Sequence, residues 1–342
     1  MGRNGIDHRA YCYDTLDRVS RSFAVVIRQL PPTTRDAVCT FYLVLRALDT
    51  IEDDPALSPA EKRGLMDDLT DHLGDEAWTV DDVGERAQDV ELMRGIHRIM
   101  ALFNDLHRTE QQVIHRQTVR MKEGMLEFAD RPVNSLADYD RYCYYVAGIV
   151  GEGLSDLFMA RGREVDLDAD DHALSVAMGL FLQKTNITRD VHEDVPSGRI
   201  FWPRAIWSRW VQDASDLVDP AQERPALSAL NAMVANAVTH LADCMAYLQR
   251  VRQDEVLRFC AIPQIMAIGT LASVYDNPAT FRDSVKLPRL LTMRILHDVT
   301  DLASVQHWML RFADQLDRHV HPTDEASDAI RDSLNRLRTS LA

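Results

Sequence analysis

The chain has 342 residues, 46% of them hydrophobic, enough for a sizeable core in one domain or two. Its formal net charge of −15 and pI near 5.2 exclude a nucleic-acid backbone or an anionic lipid surface as the main partner, so any positive site must be local. Five scattered cysteines without a CxxC pair exclude a disulfide framework or zinc site and indicate a reduced, cytoplasmic compartment.

Helical periodicity dominates and strand-like alternation is nearly absent, which gives an all-α fold class. The spacing predicts roughly a dozen helices, broken at Pro31-Pro32, Pro55, the loop near 74–84, Arg131-Pro132, Pro196 to Gly198, Pro220 to Pro225, Asp276 to Pro278, and Pro288. None of these breaks is long enough for an interdomain linker, so residues 1–342 read as a single helical bundle with a central cavity. The N-terminus lacks an apolar signal core, and the apolar runs around 37–45 and 144–151 are shorter than the roughly 18 residues that span a bilayer. No transmembrane segment is expected.

In chain order, the first element with chemical potential is Ser20-Arg21-Ser22-Phe23, a cation between two hydroxyls ahead of an apolar run. It suits a phosphate oxygen, although Ser and Arg at a helix start also serve as ordinary caps. Next comes a mostly apolar helix over 41–54, which carries Arg46 three residues before Asp49 and ends in Glu52, Asp53 and Asp54. At about 100° per residue Asp49, Glu52 and Asp53 share a face. The segment 142–151 joins aromatic residues to glycines that permit close helix approach or a helix break, and Tyr145 could supply a hydroxyl inside an apolar cavity. About 140 residues after Asp49, the stretch 181–194 places Gln183, Asn186, Asp190, Glu193 and Asp194 on one polar stripe, with His192 pointing away and read as surface. Phe259, ahead of the kink-forming Pro263, offers a ring face to a cation or simply packs.

Like charges 4 Å apart repel by roughly 4 kcal/mol at an effective dielectric near 20, so each acidic cluster calls for a cation. Oxygen donors without thiolate or imidazole favour Mg²⁺, which typically also grips substrate phosphates. A di-iron bundle would show Glu-x-x-His motifs, and none of the twelve histidines has Asp or Glu three positions before it.

From about Tyr11 onward the chain resembles the squalene synthases of the head-to-head isoprenyl diphosphate synthase group. The motifs that carry the likeness are SRSF (20–23), FYLVLRALDTIEDD (41–54), YCYYVAG (142–148), FLQKTNITRDVHED (181–194), GRIFWP (198–203) and FCAIPQ (259–264). The resemblance implies an isoprenoid-synthase-type fold that condenses two farnesyl diphosphates through presqualene diphosphate and then reduces the product with NADPH. It also implies Mg²⁺ on Asp49, Asp53, Asp190 and Asp194 with Glu52 and Glu193 in support. Diphosphate contacts would come from Ser20, Arg21, Ser22, Tyr42, Arg46, Gln183, Asn186 and Arg189. Tyr145 would assist proton loss, Arg189 would act at the leaving group, and Phe259 would line the pocket of the second half-reaction.

Departures from the pattern are also visible. Where the resemblance implies a basic, glycine-containing loop for NADPH, this chain has Val285-Lys286-Leu287-Pro288-Arg289-Leu290, keeping two cations and losing the glycine. Glu152 replaces a usually apolar residue. The end at Ala342, where eukaryotic relatives continue into a membrane anchor, implies a bacterial-type soluble enzyme or a shortened chain, with peripheral membrane contact an open alternative. Rival readings are a related synthase making dehydrosqualene, phytoene or a botryococcene-type product, and a non-catalytic helical interaction subunit.

Overall fold

The computed structural model describes residues 7–160, 165–167 and 171–341; the side chains of Arg21 and Ser22, both expected at the diphosphate, lie outside the described residues. Among the described residues the secondary structure is helical, with no strand. The chain divides into two compact units, Met1–Asp130 with Gly153–Val165, and Arg131–Glu152 with Asp166–Ala342.

The first unit contains α1 (His8–Val19), α2 (Arg21–Ile27), α3 (Pro32–Asp53), α4 (Pro59–Asp71), α5 (Ala87–Arg94), α6 (Ile96–Asp105) and α7 (Arg108–Phe128). Its centre is α3, which packs against α1, α2, α4, α5, α6 and α7. Pro32 starts this helix where a missing N–H costs nothing, and Ala37, Val38, Phe41, Val44, Leu48 and Ile51 form its buried side. It stops at Asp54, whose carboxylate accepts from the N–H groups of Ala56 (2.8 Å) and Gly84 (2.7 Å). Asp54 thus fixes the loop and is not available to a ligand.

The second unit contains α8 (Leu136–Cys143), the start of α9 (Ile149–Ala160), α10 (His172–Arg189), α11 (Val191–Asp194), α12 (Arg204–Trp207), α13 (Glu223–Val238), α14 (Leu241–Leu248), α15 (Asp254–Val274), α16 (Arg289–Asp298), α17 (Leu302–His319) and α18 (Ser327–Ser340). A π-helical turn, Tyr144–Gly148, joins α8 to α9 without a break. At the centre is α10, against α8, the π turn, α13, α14 and α15. Helix α9 and the π turn before it approach α10 so closely that a Cβ on Gly151 would lie 2.0 Å from the Ser175 carbonyl oxygen, and one on Gly179 would lie 2.1 Å from that of Ala147. Glycine here serves close approach.

There are eighteen α-helices among the described residues, not a dozen, because several breaks carry neither proline nor glycine. Ser20 turns the chain in extended conformation, Asp190 caps α10, and the Thr239-His240 pair separates α13 from α14. Among the described residues one helix, α15, is long and apolar enough to cross a membrane, but 78% of its apolar window is buried in the protein. It packs on α10, α14 and α17 as a core helix.

Candidate active site

On α3 the residues Tyr42, Arg46, Asp49 and Asp53 recur at i, i+4, i+7 and i+11 and so share one face. Burial raises the Tyr42 phenol above its ordinary pKa, Ser20 just before α2 is near enough to oppose that shift, and the Phe23 ring lies 5.7 Å from the Tyr42 ring. The SRSF element is thereby tied to the α3 face that carries the acids. Arg46 donates to Asp89 at 3.1 Å while its buried Nε–H has no partner. Asp89 is buried and also receives Arg86 at 2.6 Å. Sequence reasoning missed Asp89, which lies 43 positions from Arg46 and has no motif of its own.

Desolvation raises the Asp49 carboxyl from 3.8 to about 7; Arg46 opposes the shift, while Asp53 and Asp89 add to it. Asp53 is exposed and Glu52 half-buried, with the Lys62 ammonium on the Glu52 carbonyl. This face offers a buried carboxyl that desolvation holds far above its ordinary acidity, together with an unsatisfied cationic donor.

In the second unit the polar stripe is bent, not continuous. The chain caps α10 at Asp190 and restarts as α11, with Asp190 accepting the N–H groups of Glu193 (2.9 Å) and Asp194 (3.0 Å) through its carbonyl. Arg189 holds the Asp190 carboxylate through two bonds of 2.6 Å, and Arg199 lies 3.2 Å from Asp194. Desolvation raises Asp194 to about 6, against Arg199 and aided by Asp190 and Glu193. Gln183 is half-buried, whereas Asn186 and Glu193 are exposed. His192 is not a surface residue as expected: only 11% of its side chain is exposed, its Nδ1 is buried without a partner, and Nε2 lies 3.4 Å from Glu193. The bend at Asp190 turns it inward.

Tyr145 sits in the π turn, half-buried, and accepts from Arg141 at 3.2 Å, with that guanidinium 5.6 Å from its ring centroid. A local π turn re-aims side chains within a helix and is frequent at functional sites. Glu152, the unexpected acid, accepts from the Tyr144 hydroxyl at 3.1 Å. Phe259 is buried in α15, which Gln264 pins to α10 through the Met178 carbonyl at 3.0 Å. Lys286 and Arg289 are exposed.

A second residue missed in the sequence is Lys184. It is 2% exposed, ion-paired with Asp140 at 2.6 Å and over the Tyr139 ring at 5.3 Å, so it ties α8 to α10 behind the acidic stripe. Its position inside a polar motif disguised a buried lysine as a surface one.

Among the described residues no three Asp, Glu, His or Cys side chains form a ready-made metal cage. Each unit does present an oxygen-only Asp pair at i, i+4, one member of which is held far from its ordinary acidity by burial. That donor chemistry fits a hard divalent cation completed by substrate oxygens and water.

The squalene/phytoene synthase family model matches residues 16–291. Squalene synthase 1 of Arabidopsis thaliana is 44% identical over 333 residues, covering 96% of this chain and 80% of that protein. Squalene synthase of Solanum lycopersicum is 46% identical over 320 residues, covering 93% and 77%. The solved structure of TcSQS with the ligand E5700 superposes with a TM-score of 0.95 at 40% identity, covering 98% of each chain. Its agreement extends to the isoprenoid-synthase fold as a whole. The chain belongs to the squalene/phytoene synthase family.

Proposed function

We propose that this chain makes squalene, joining two farnesyl diphosphates head to head through presqualene diphosphate and reducing the product with NADPH, and that the two compact units serve as one catalytic domain. The observation that carries this reading is the Asp49/Asp53 and Asp190/Asp194 pairs in a chain 44–46% identical to squalene synthases. Farnesyl diphosphate is the substrate.

Bound Mg²⁺ would supply the positive charge that lets a diphosphate leave an allylic carbon. The residues that would hold it are Asp49 and Asp53 in the first unit and Asp190 and Asp194 in the second, supported by Glu52 and Glu193. Arg46 directs its unsatisfied Nε–H to a diphosphate oxygen, with Asp89 fixing the guanidinium. Ser20 and Tyr42 add hydroxyl donors, as do Ser22 and the Arg21 cation by resemblance. Arg189 trades its bond to Asp190 for the departing diphosphate, and Gln183 and Asn186 contribute side-chain amides.

Tyr145 takes part in the proton loss that closes the cyclopropane, with the Arg141 guanidinium donating to its oxygen and holding it in place. Phe259 presents a ring to the carbocation of the second half-reaction and helps exclude water. NADPH, when bound, would supply a hydride, and Lys286 and Arg289 are the exposed cations that would hold its phosphates.

The test is incubation with farnesyl diphosphate and Mg²⁺, with and without NADPH, and product identification by mass. Squalene is expected only with NADPH, and chelation of Mg²⁺ is expected to stop release of diphosphate itself. A hydrocarbon product indifferent to NADPH would replace this reading with the dehydrosqualene-type one.

A further inference from the structure

The segment 285–297 contains Lys286, Arg289, Arg294 and His297 and no Asp or Glu, in a chain with 53 acidic residues. Only four large apolar side chains are exposed among the described residues, and two of them are here: Leu290 at 82% and Met293 at 56%. On α16, Arg289, Met293, His297, Leu290 and Arg294 fall, in that order, within an arc of about 140°. The opposite side carries the buried Ile295. Thus two apolar side chains stand at the centre of one outward face, with an arginine on each flank and Lys286 just before the helix.

A core-facing helix would turn Leu290 and Met293 inward, and the one acid of this helix, Asp298 at its last position, pairs with Arg294 and His297 and leaves Lys286 and Arg289 unopposed. Dinucleotide phosphates would use Lys286 and Arg289 but have no use for Leu290 and Met293. Cations flanking exposed apolar side chains match the headgroup and upper acyl region of an anionic bilayer, where both kinds of group are satisfied at once. Arg294 is held in place by Asp298 at 3.2 Å and by the Trp308 ring at 5.9 Å, so the outer arginine is anchored to α17. Lys286 and Arg289 have no carboxylate partner among the described residues.

We propose that the outward face of α16, centred on Leu290 and Met293, docks the protein peripherally on an anionic phospholipid bilayer. Contact is local, since the overall charge of −15 opposes it elsewhere. The proposal deepens the assignment of a hydrocarbon product but does not depend on it, because the docking assay requires no turnover.

The test is co-sedimentation with phosphatidylcholine vesicles containing phosphatidylglycerol, and with phosphatidylcholine alone, at low and high salt. Binding is expected on the anionic vesicles only, with loss at high salt. Leu290→Ser and Met293→Ser singly should each weaken binding, and together tenfold or more, while Val25→Ser, at an exposed apolar position in the other unit, should bind as the parent does. Circular dichroism and turnover in detergent should be unchanged in all of these variants. Absent binding, equal binding to neutral vesicles, or full binding by the double variant overturns the proposal. So does a parent chain that is dimeric by light scattering and becomes monomeric on the double substitution, which would make the face a contact between copies.

Discussion

Asp49 lies under two opposed demands: the role proposed for it needs a carboxylate to hold a cation, yet its surroundings favour the neutral acid. Its carboxyl is raised from 3.8 to about 7, so the folded, metal-free protein binds that proton more tightly than the unfolded chain. The penalty is absent at low pH, where both states are protonated, and accumulates as pH rises from about 4 toward 7. Asp49→Asn should therefore raise the metal-free melting temperature at pH 7.5 by about 2–4 °C, with the gap closing toward pH 4, as thermal scans across pH would read. The same substitution, or Asp190→Asn, should lower turnover at least about 100-fold in a steady-state assay, because a neutral amide cannot balance a divalent cation. Asp89→Asn acts one step removed. It should raise KM for farnesyl diphosphate severalfold with a smaller change in kcat, since it loosens Arg46 without removing a cation ligand. Motif spacing singles out Asp49 and Asp190 as candidates, whereas Asp89 and Lys184 owe their contacts to helices that are distant in sequence.

At the scale of elements, the contact between α9 and α10 is set by backbone proximity. Gly151→Ala would put a methyl 2.0 Å from the Ser175 carbonyl oxygen, a backbone atom that cannot swing aside as a flexible side chain would. The helices must separate, at a cost of about 1–3 kcal/mol that a chemical-denaturation curve would show as an earlier midpoint. Gly64, with nothing within 4 Å of an added Cβ, is the matched control: Gly64→Ala in the exposed interior of α4 should be stabilising by up to about 1 kcal/mol. Of the two uses the glycines of the 142–151 segment allow, close approach or a helix break, Gly151 serves close approach. The π turn they adjoin was not legible, because an extra residue per turn leaves no mark on amphipathic spacing.

For the whole molecule, a net charge of −15 disfavours any anionic substrate arriving without a counter-cation. Mg²⁺ and inorganic diphosphate together should therefore raise the melting temperature more than the sum of their separate effects, which a thermal-shift titration would measure. The sequence by itself determined the all-α class, the order of the motifs and the identity of the paired aspartates, because helical period and residue chemistry are local properties. Only the tertiary structure decided that Lys184 is buried against Asp140, that His192 turns inward, that Asp54 is consumed by the Gly84 loop, and that Leu290 and Met293 remain outside. Burial depends on which remote segment covers a side chain. The same spacing along a helix is compatible with water, with an ion pair or with a bilayer until the packing partners are in place.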